Sequence, residues 1–339
     1  AASGVRPAST NFTDLDGFVL VDDNGLERFA PRAGSDIGAL GTAILSAAEV
    51  REILREALST ANRLRAQIRR PLGSQARVTI SVVDTFGSVL GVVRTRDAPV
   101  FGADVSLQKA RTAAFFSNAA AAAELEATPP AEYLGNSQQS DIGDYVTRSR
   151  SALNRVTLFE DGALAFAARS IGNLARPFFP DGLNSASPGP LSKPFADWSP
   201  FSDGLQLDLV NNAILDHVRF VLGAGPDPAP GSCTELPITS TGATRLANGV
   251  QIFAGGVPIY RGNVLVGAIG VSGDGIDQDD AVAFLGLHKA SLNLSGSIRN
   301  APAAIRADGV QTSAGQLRYV QCPQAPFLDS AEQNACQNK

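Results

Sequence analysis

Apolar residues recur along this chain in two rhythms, and their succession outlines a fold. The first rhythm is helical: Val50, Ile53, Leu54, Ala57, Ala61, Leu64 and Ile68 keep the 3.6-residue spacing of one buried face, and Ser46 with Glu49 forms a capping box. The spacing predicts a helix that runs to Arg70 and is stopped by Pro71. The second rhythm is the alternation of strands. In ARVTISVVD (76–84), Val78, Ile80 and Val82 share a face; Asp84-Thr85-Phe86-Gly87 turns the chain, and SVLGVVR (88–94) returns as the partner strand of a β-hairpin. A second hairpin is predicted where VPIY (257–260) and VLVGAIGV (264–271) flank Arg261-Gly262-Asn263. Gly267 and Gly270 inside that last strand predict close approach by another backbone or a ligand. A third is predicted near the start, where GFVLV (17–21) and LERFA (26–30) flank Asp22-Asp23-Asn24-Gly25. Further helices are expected from about Ser106 through Ala123, over 161–175 and 205–222, and from a cap at Asp277 through DDAVAFLGLHKASL.

Between about 125 and 248 the texture changes. This stretch holds most of the 20 prolines and the single tryptophan, Trp198, in runs such as FFPDG, SASPGPLSKPF and GAGPDPAPGS. It is too apolar at intervals for disorder, so it reads as an ordered, loop-rich insertion.

Composition then excludes whole classes. The 339 residues are 44% hydrophobic and 18% charged, with 28 basic against 33 acidic side chains and a net charge of −5. No basic face is offered to a phosphate backbone, which argues against nucleic acid as a partner. No run reaches the roughly 20 continuous apolar residues of a membrane span. Methionine is absent, and the chain opens on Ala-Ala-Ser, which together predict a processed, exported protein of the periplasm or extracellular space. The three cysteines lie late in the sequence, and the short polar segment between Cys322 and Cys336 predicts a disulfide there, with Cys233 left over.

The element order is helix, hairpin, helix, long insert, hairpin, helix, and three blocks within it resemble the GlcG/HbpS-like haem-binding family. The resemblance is carried by Asp84, Gly87 and Arg94 in the first block and by Lys109, Ala110, Thr112 and Ala113 in the second. In the third it is carried by Gly255, Gly256, Pro258, Gly262, Gly267, Gly270, Val271, Ser272, Gly273 and Asp277. It implies an α+β, profilin-like fold: an antiparallel sheet with helices on both faces, one domain split into residues 44–124 and 247–299. Around it stand an N-terminal arm (1–43), the insertion (125–246) and a C-terminal tail (300–339). The resemblance further implies a haem or similar flat cofactor bound between the sheet and the helix carrying Lys109, Thr112 and Phe116, and assembly as a homo-oligomer.

Haem iron needs one or two axial donors and a wide apolar slot. Without methionine, the candidates are His217, His288 and the tyrosines Tyr133, Tyr145, Tyr260 and Tyr319. No C-x-x-C-H is present, so covalent haem attachment of the c type is excluded. Asp274, Asp277, Asp279 and Asp280 form the densest acidic cluster, of which Asp274, Asp277 and Asp279 are candidates for a hard cation, although acidic residues also favour a helix N-terminus. No nucleophile elbow, Ser/His/Asp arrangement or dinucleotide fingerprint is found, which favours a non-enzymatic ligand-binding protein. The alternatives are a structural subunit that uses the arm and insertion as contacts, and an enzyme acting on a small acid.

Overall fold

The computed structural model describes residues 4–36, 45–133, 139–179, 183–228, 232–312 and 315–339. Its first elements are strands β1 (Gly4–Pro7) and β2 (Phe18–Val21), helix α1 (Ala47–Arg63), the hairpin β3 (Thr79–Val83) and β4 (Val89–Arg94), and helix α2 (Gly102–Phe116). The middle of the chain contributes α3 (Ala121–Glu126), the short pair β5 (Ala131–Glu132) and β6 (Gln139–Ser140), then α4 (Gly143–Leu153), α5 (Ala168–Leu174) and α6 (Gly204–Val221). The hairpin β7 (Gly256–Arg261) and β8 (Val264–Ser272) follows, then α7 (Ile276–Asn293), β9 (Arg299–Asn300), and the pair β10 (Gln311–Thr312) and β11 (Gly315–Gln316).

A seven-stranded sheet in the order β1-β2-β4-β3-β8-β7-β9, antiparallel throughout, is the centre of the molecule. Strands on the two sides of the insertion meet at β3 and β8, where Ile80 pairs with Val271 and Val82 with Ile269. Those four side chains point to one face and join α1 and α7 in the main core, with Leu54, Leu58, Val282, Phe284 and Leu285. The opposite face, with Val83 and Ala268, receives Ala110, Ala113 and Ala114 of α2. Helices therefore cover both faces, as the family resemblance implied. A second core lies between the end of α2 and the insertion, where Phe115 and Phe116 are buried with Phe159, Phe166, Ile171, Leu174, Leu205, Leu209, Leu246 and Ile252.

The two central hairpins and the Ser46–Glu49 capping box form as their patterns predict. Helix ends differ, and in each case a distant segment takes the backbone groups. The first helix stops at Arg63 because the amide of Arg65 donates to Pro326 O (2.7 Å), that of Ala66 to Ser74 O (2.9 Å) and that of Gln67 to the Asp274 carboxylate (2.7 Å). The helix expected over Ser106–Ala123 is two, since the Ser117 hydroxyl accepts from Phe166 N (2.9 Å) and Asn118 Oδ1 caps the Ala120 amide (2.9 Å). Only Ala168–Leu174 of the 161–175 stretch is helical, because Ala165 bonds Ile305 and Ala307 in a parallel bridge. The last helix is preceded by Gly275, so Asp277 sits inside its first turn and is not the cap. Near the N-terminus the turn is present, with Asp22 Oδ1 accepting from the Asn24 and Leu26 amides (both 2.9 Å). The hairpin is short: Val21 and Glu27 form an antiparallel bridge, with the Asp22 amide donating to Leu26 O and the Arg28 amide to Leu20 O (both 2.9 Å), while β2 pairs along its length with β1 and meets β4 at Phe18.

Candidate functional site

The helix expected to face a flat cofactor lies instead directly on the strands. Gly256 and Gly270 make this possible: a Cβ at 270 would overlap the Ser106 carbonyl oxygen and sit 2.6 Å from Ala110 N, and one at 256 would overlap the Lys109 carbonyl. The close approach foreseen for Gly270 is thus that of the α2 backbone, and no slot for a macrocycle remains in this seam. Lys109, 2% exposed, extends through it to donate from Nζ to Val271 O (3.0 Å) and Asp279 Oδ2 (2.8 Å). The Thr112 hydroxyl donates to Gln108 O (2.7 Å) and accepts from the Gln251 amide (2.9 Å). Phe116 turns away into the insertion core, its ring 5.1 Å from Phe115 and 5.2 Å from Phe159.

Beside Lys109 a second buried cation meets the first turn of α7. Arg169, from the insertion, pairs through Nε with Asp280 (2.5 Å) and through Nη2 with Asp277 (2.6 Å). Asp280 also accepts from the Gly255 amide (2.8 Å) and the Gln321 amide of the tail (3.0 Å). Burial pushes the Asp279 carboxyl up to about 6 against the pull of the Lys109 ammonium, and it pushes Asp280 up against Arg169. The acidic cluster is therefore dispersed among protein partners. Asp274 accepts the amides of Gln67, Ile68 and Gly275, Asp277 holds Arg169, and Asp279 holds Lys109. Among the described residues no group of three His, Cys, Asp or Glu side chains could hold a metal ion.

The two histidines are not brought together. His217 is exposed near the end of α6, with Phe220 as its ring neighbour at 6.3 Å. His288 is half-buried on α7 and opens into a cavity of about 520 Å3 whose rim carries Arg299, Arg306 and Lys339 and whose wall includes Ala301, Pro302 and Ala303. Burial, then the nearby Lys339 and Lys289, lowers the His288 pKa and favours the neutral imidazole. Arg306 is fixed from below: it stacks 5.1 Å over Phe284 and 5.4 Å over Tyr319 and donates to Ala301 O (2.8 Å) and Lys339 O (2.7 Å). The tail is stapled to itself by the Cys322–Cys336 disulfide, and Cys233 is free and exposed. Tyr260 and Tyr319 are sealed in the core, while Tyr133 and Tyr145 donate to the buried Asp208 carboxylate. Arg299, Arg306 and Lys339 carry no motif and lie in or beside the tail, so only the fold shows that they ring His288.

The arrangement defines a class: an α+β domain with one antiparallel sheet between two helical layers, a glycine-dependent helix seam on one face and a histidine-bearing cavity on the other side. A family model described as "Haem degrading protein HbpS-like" matches residues 46–165 and 228–288, and the chain belongs to this HbpS-like family. No curated protein sequence matches the chain. Among solved structures it is similar to the Klebsiella pneumoniae protein ORFY of the DUF336 family model, at 16% identity and a TM-score of 0.33, covering 73% of this chain and 90% of that one. It is also similar to a PduOC:heme complex, at 16% identity and a TM-score of 0.31, covering 71% of this chain and 91% of that one. Among the described residues no helix is long and apolar enough to cross a membrane.

Proposed function

We propose that this protein binds haem, and that it does so in the cavity beside α7 with His288 as the iron ligand. Membership of the HbpS-like family supports the choice of cofactor. The observation that carries the location is a neutral-leaning imidazole opening into about 520 Å3 of space, beside Arg299, Arg306 and Lys339. That volume lies in the usual range of small-molecule sites, roughly 300–1,000 Å3. The cations suit the two carboxylates of the porphyrin, and Ala301, Pro302 and Ala303 offer an apolar wall. Bound haem would supply redox-active iron; the chain's own part is to donate the imidazole, hold the carboxylates and limit access of water. Lys109, Thr112 and Phe116 contribute as the frame of the sheet, and His217 stays outside the site.

Titrating haem into the purified protein and reading the Soret band tests this. The wild type should give a saturable band, and His288→Ala should lose or shift it with little change in melting temperature. An unchanged spectrum in His288→Ala would refute the assignment.

The proposal extends to an exported, oligomeric protein with residues 44–124 and 247–299 forming one domain. Support for export comes from the disulfide, which suits an oxidising compartment. Support for assembly comes from the outer half of α6, where Ile214, Val218, Val221 and Leu222 are exposed together on the insertion. Light scattering on the native protein tests assembly; a monomer at micromolar concentration would remove it.

A further inference from the structure

The net charge of −5 conceals a local excess of the opposite sign. Segment 63–77, which joins α1 to β3, carries five arginines, Arg63, Arg65, Arg69, Arg70 and Arg77, and no acidic residue. Arg63 is paired with Asp329 (2.6 Å). The other four form no ion pair among the described residues: Arg69 donates to Gly273 O (2.6 Å), Arg77 to Arg96 O (3.1 Å) and Arg65 to Phe327 O (3.5 Å), while Arg70 is exposed. Arg77 lies within electrostatic reach of Asp16, which itself pairs with Arg96.

The same segment projects a loop. Its base is closed by the Ala66 amide, which donates to Ser74 O (2.9 Å), and by the Arg65–Gln75 bridge. At its tip Pro71, Leu72 and Gly73 are all exposed, and a Cβ placed on Gly73 would meet nothing within 4 Å. Arg69 ties the loop to the turn after β8, as do the Gln67 and Ile68 amides through the Asp274 carboxylate (2.7 and 3.3 Å). A Cβ on Gly273 of that turn would in turn sit 3.1 Å from Pro99 Cδ. Three turns therefore meet at the end of the sheet where β3 begins and β4 and β8 end. Together they expose Ile68 (57%), Leu72 (83%), Val100 (84%), Phe101 (57%) and Ile276 (39%). Single exposed apolar residues are ordinary, but a cluster of them with a charged rim marks an interaction site.

Apolar side chains on protruding turns, flanked by guanidinium groups, match a surface that is anionic outside and apolar beneath. We propose that this end of the molecule docks on an anionic lipid bilayer. Leu72 and Val100 enter the boundary between headgroups and acyl chains, and Arg65, Arg69, Arg70 and Arg77 meet the lipid phosphates. Arginine suits this role because its planar fork bonds phosphate in pairs while its stem lies along apolar groups. The rest of the chain is acidic and is repelled by the same surface, which leaves this end to face it. A nucleic acid would supply phosphates but no apolar layer for Leu72 and Val100. A second copy related by a two-fold axis through the loop would set Arg70 against its own counterpart, and like charges repel. The His288 cavity lies toward the other end of α7 and takes no part.

Sedimentation of the full chain with vesicles tests this. The protein should pellet at about 0.1 M salt with vesicles in which about a third of the phosphatidylcholine is replaced by phosphatidylglycerol, and be released at about 1 M salt. Vesicles of phosphatidylcholine alone should bind it at least about tenfold more weakly. Leu72→Ser combined with Val100→Ser should weaken binding about tenfold, and Arg70→Ala about fivefold, with unchanged melting temperatures because these side chains are exposed. The proposal is overturned if no protein pellets with the anionic vesicles at about 1 mM lipid, if neutral vesicles bind it equally, or if the folded double variant binds like the wild type. It is also overturned if a DNA duplex binds more tightly than the vesicles and the double variant binds that duplex equally well. A dimer seen by light scattering and abolished in the double variant would give the surface to a second copy and overturn it too. Should the double variant fail to fold, the vesicle and salt comparisons on the wild-type chain decide. Haem enters none of these readouts, so this surface and the His288 site stand or fall separately.

Discussion

The seam under α2 and the cavity beside α7 are built from similar groups and put them to opposite use. In the seam, the Lys109 ammonium and the Thr112 hydroxyl are each committed to protein partners, and glycines remove the last space between helix and strand. In the cavity, the His288 imidazole borders open volume, while the cations around it are held in place by the chain, Arg299 by Gly262 O, Arg306 by Ala301 O and Lys339 O, and Lys339 by Glu332. A polar group with all its partners satisfied in a close-packed interior stabilises a fold; one left facing space is available to a ligand. The contrast teaches that a residue can carry a family pattern and still be structural in a given chain.

The largest effect that would sharpen this contrast is expected from Asp279→Ala. It leaves the Lys109 ammonium buried without its carboxylate, and such losses cost about 3–5 kcal/mol. Chemical denaturation measures it; a variant of wild-type stability that instead loses haem would move the ligand site back to the seam. Removing the disulfide by Cys322→Ser with Cys336→Ser should cost about 3 kcal/mol, on the loop-closure argument for a loop near 15 residues. Because Asn338 and Lys339 line the cavity beyond that staple, haem affinity should fall with it. Gly270→Ala forces a methyl group against the Ser106 carbonyl and is expected to cost about 1–3 kcal/mol by the same denaturation measurement.

A smaller effect concerns a buried acid that lacks the kind of close cation Asp279 has. Asp203 is fully buried, neither of its oxygens makes a hydrogen bond of normal geometry among the described residues, and burial pushes its carboxyl from 3.8 up to about 7. The folded state therefore holds that proton more tightly than the unfolded chain. Its contribution to stability is present at low pH and is lost as pH rises through the window from 3.8 to about 7. Asp203→Asn should flatten this part of the pH dependence and raise the melting temperature at pH 8 relative to wild type; an unaltered profile would show that the carboxyl titrates normally. The smallest stability change, within about 0.5 kcal/mol, is expected for the half-buried His288→Ala, whose effect should appear in the Soret band instead.

Much of the core was legible in the sequence because local patterns carry it. The capping box at Ser46 and Glu49, the alternation of Ile80 and Val82, and the turns at Gly87 and Gly262 need only neighbours within a few residues to be read. Helix ends were less legible. Leu64 and Ile68 continue the helical spacing, yet the tail at Pro326 and the Asp274 carboxylate take the amides that would have continued α1. Of the candidate site, the sequence marked His288 but not its surroundings. Lys109 was singled out by family pattern, and nothing near it announces Asp279, 170 residues later, as its partner.

By itself the sequence determined most of the elements and the two central antiparallel hairpins, since hydrophobic periodicity and turn chemistry act over short separations; the sheet with helices on both faces was implied by the family resemblance. Which polar groups are spent and which are left facing space was decided only in the tertiary structure. That outcome depends on hydrogen bonds and ion pairs between segments far apart in the chain, from Arg169 to Asp280 and from Arg306 to Lys339, and no local pattern encodes them.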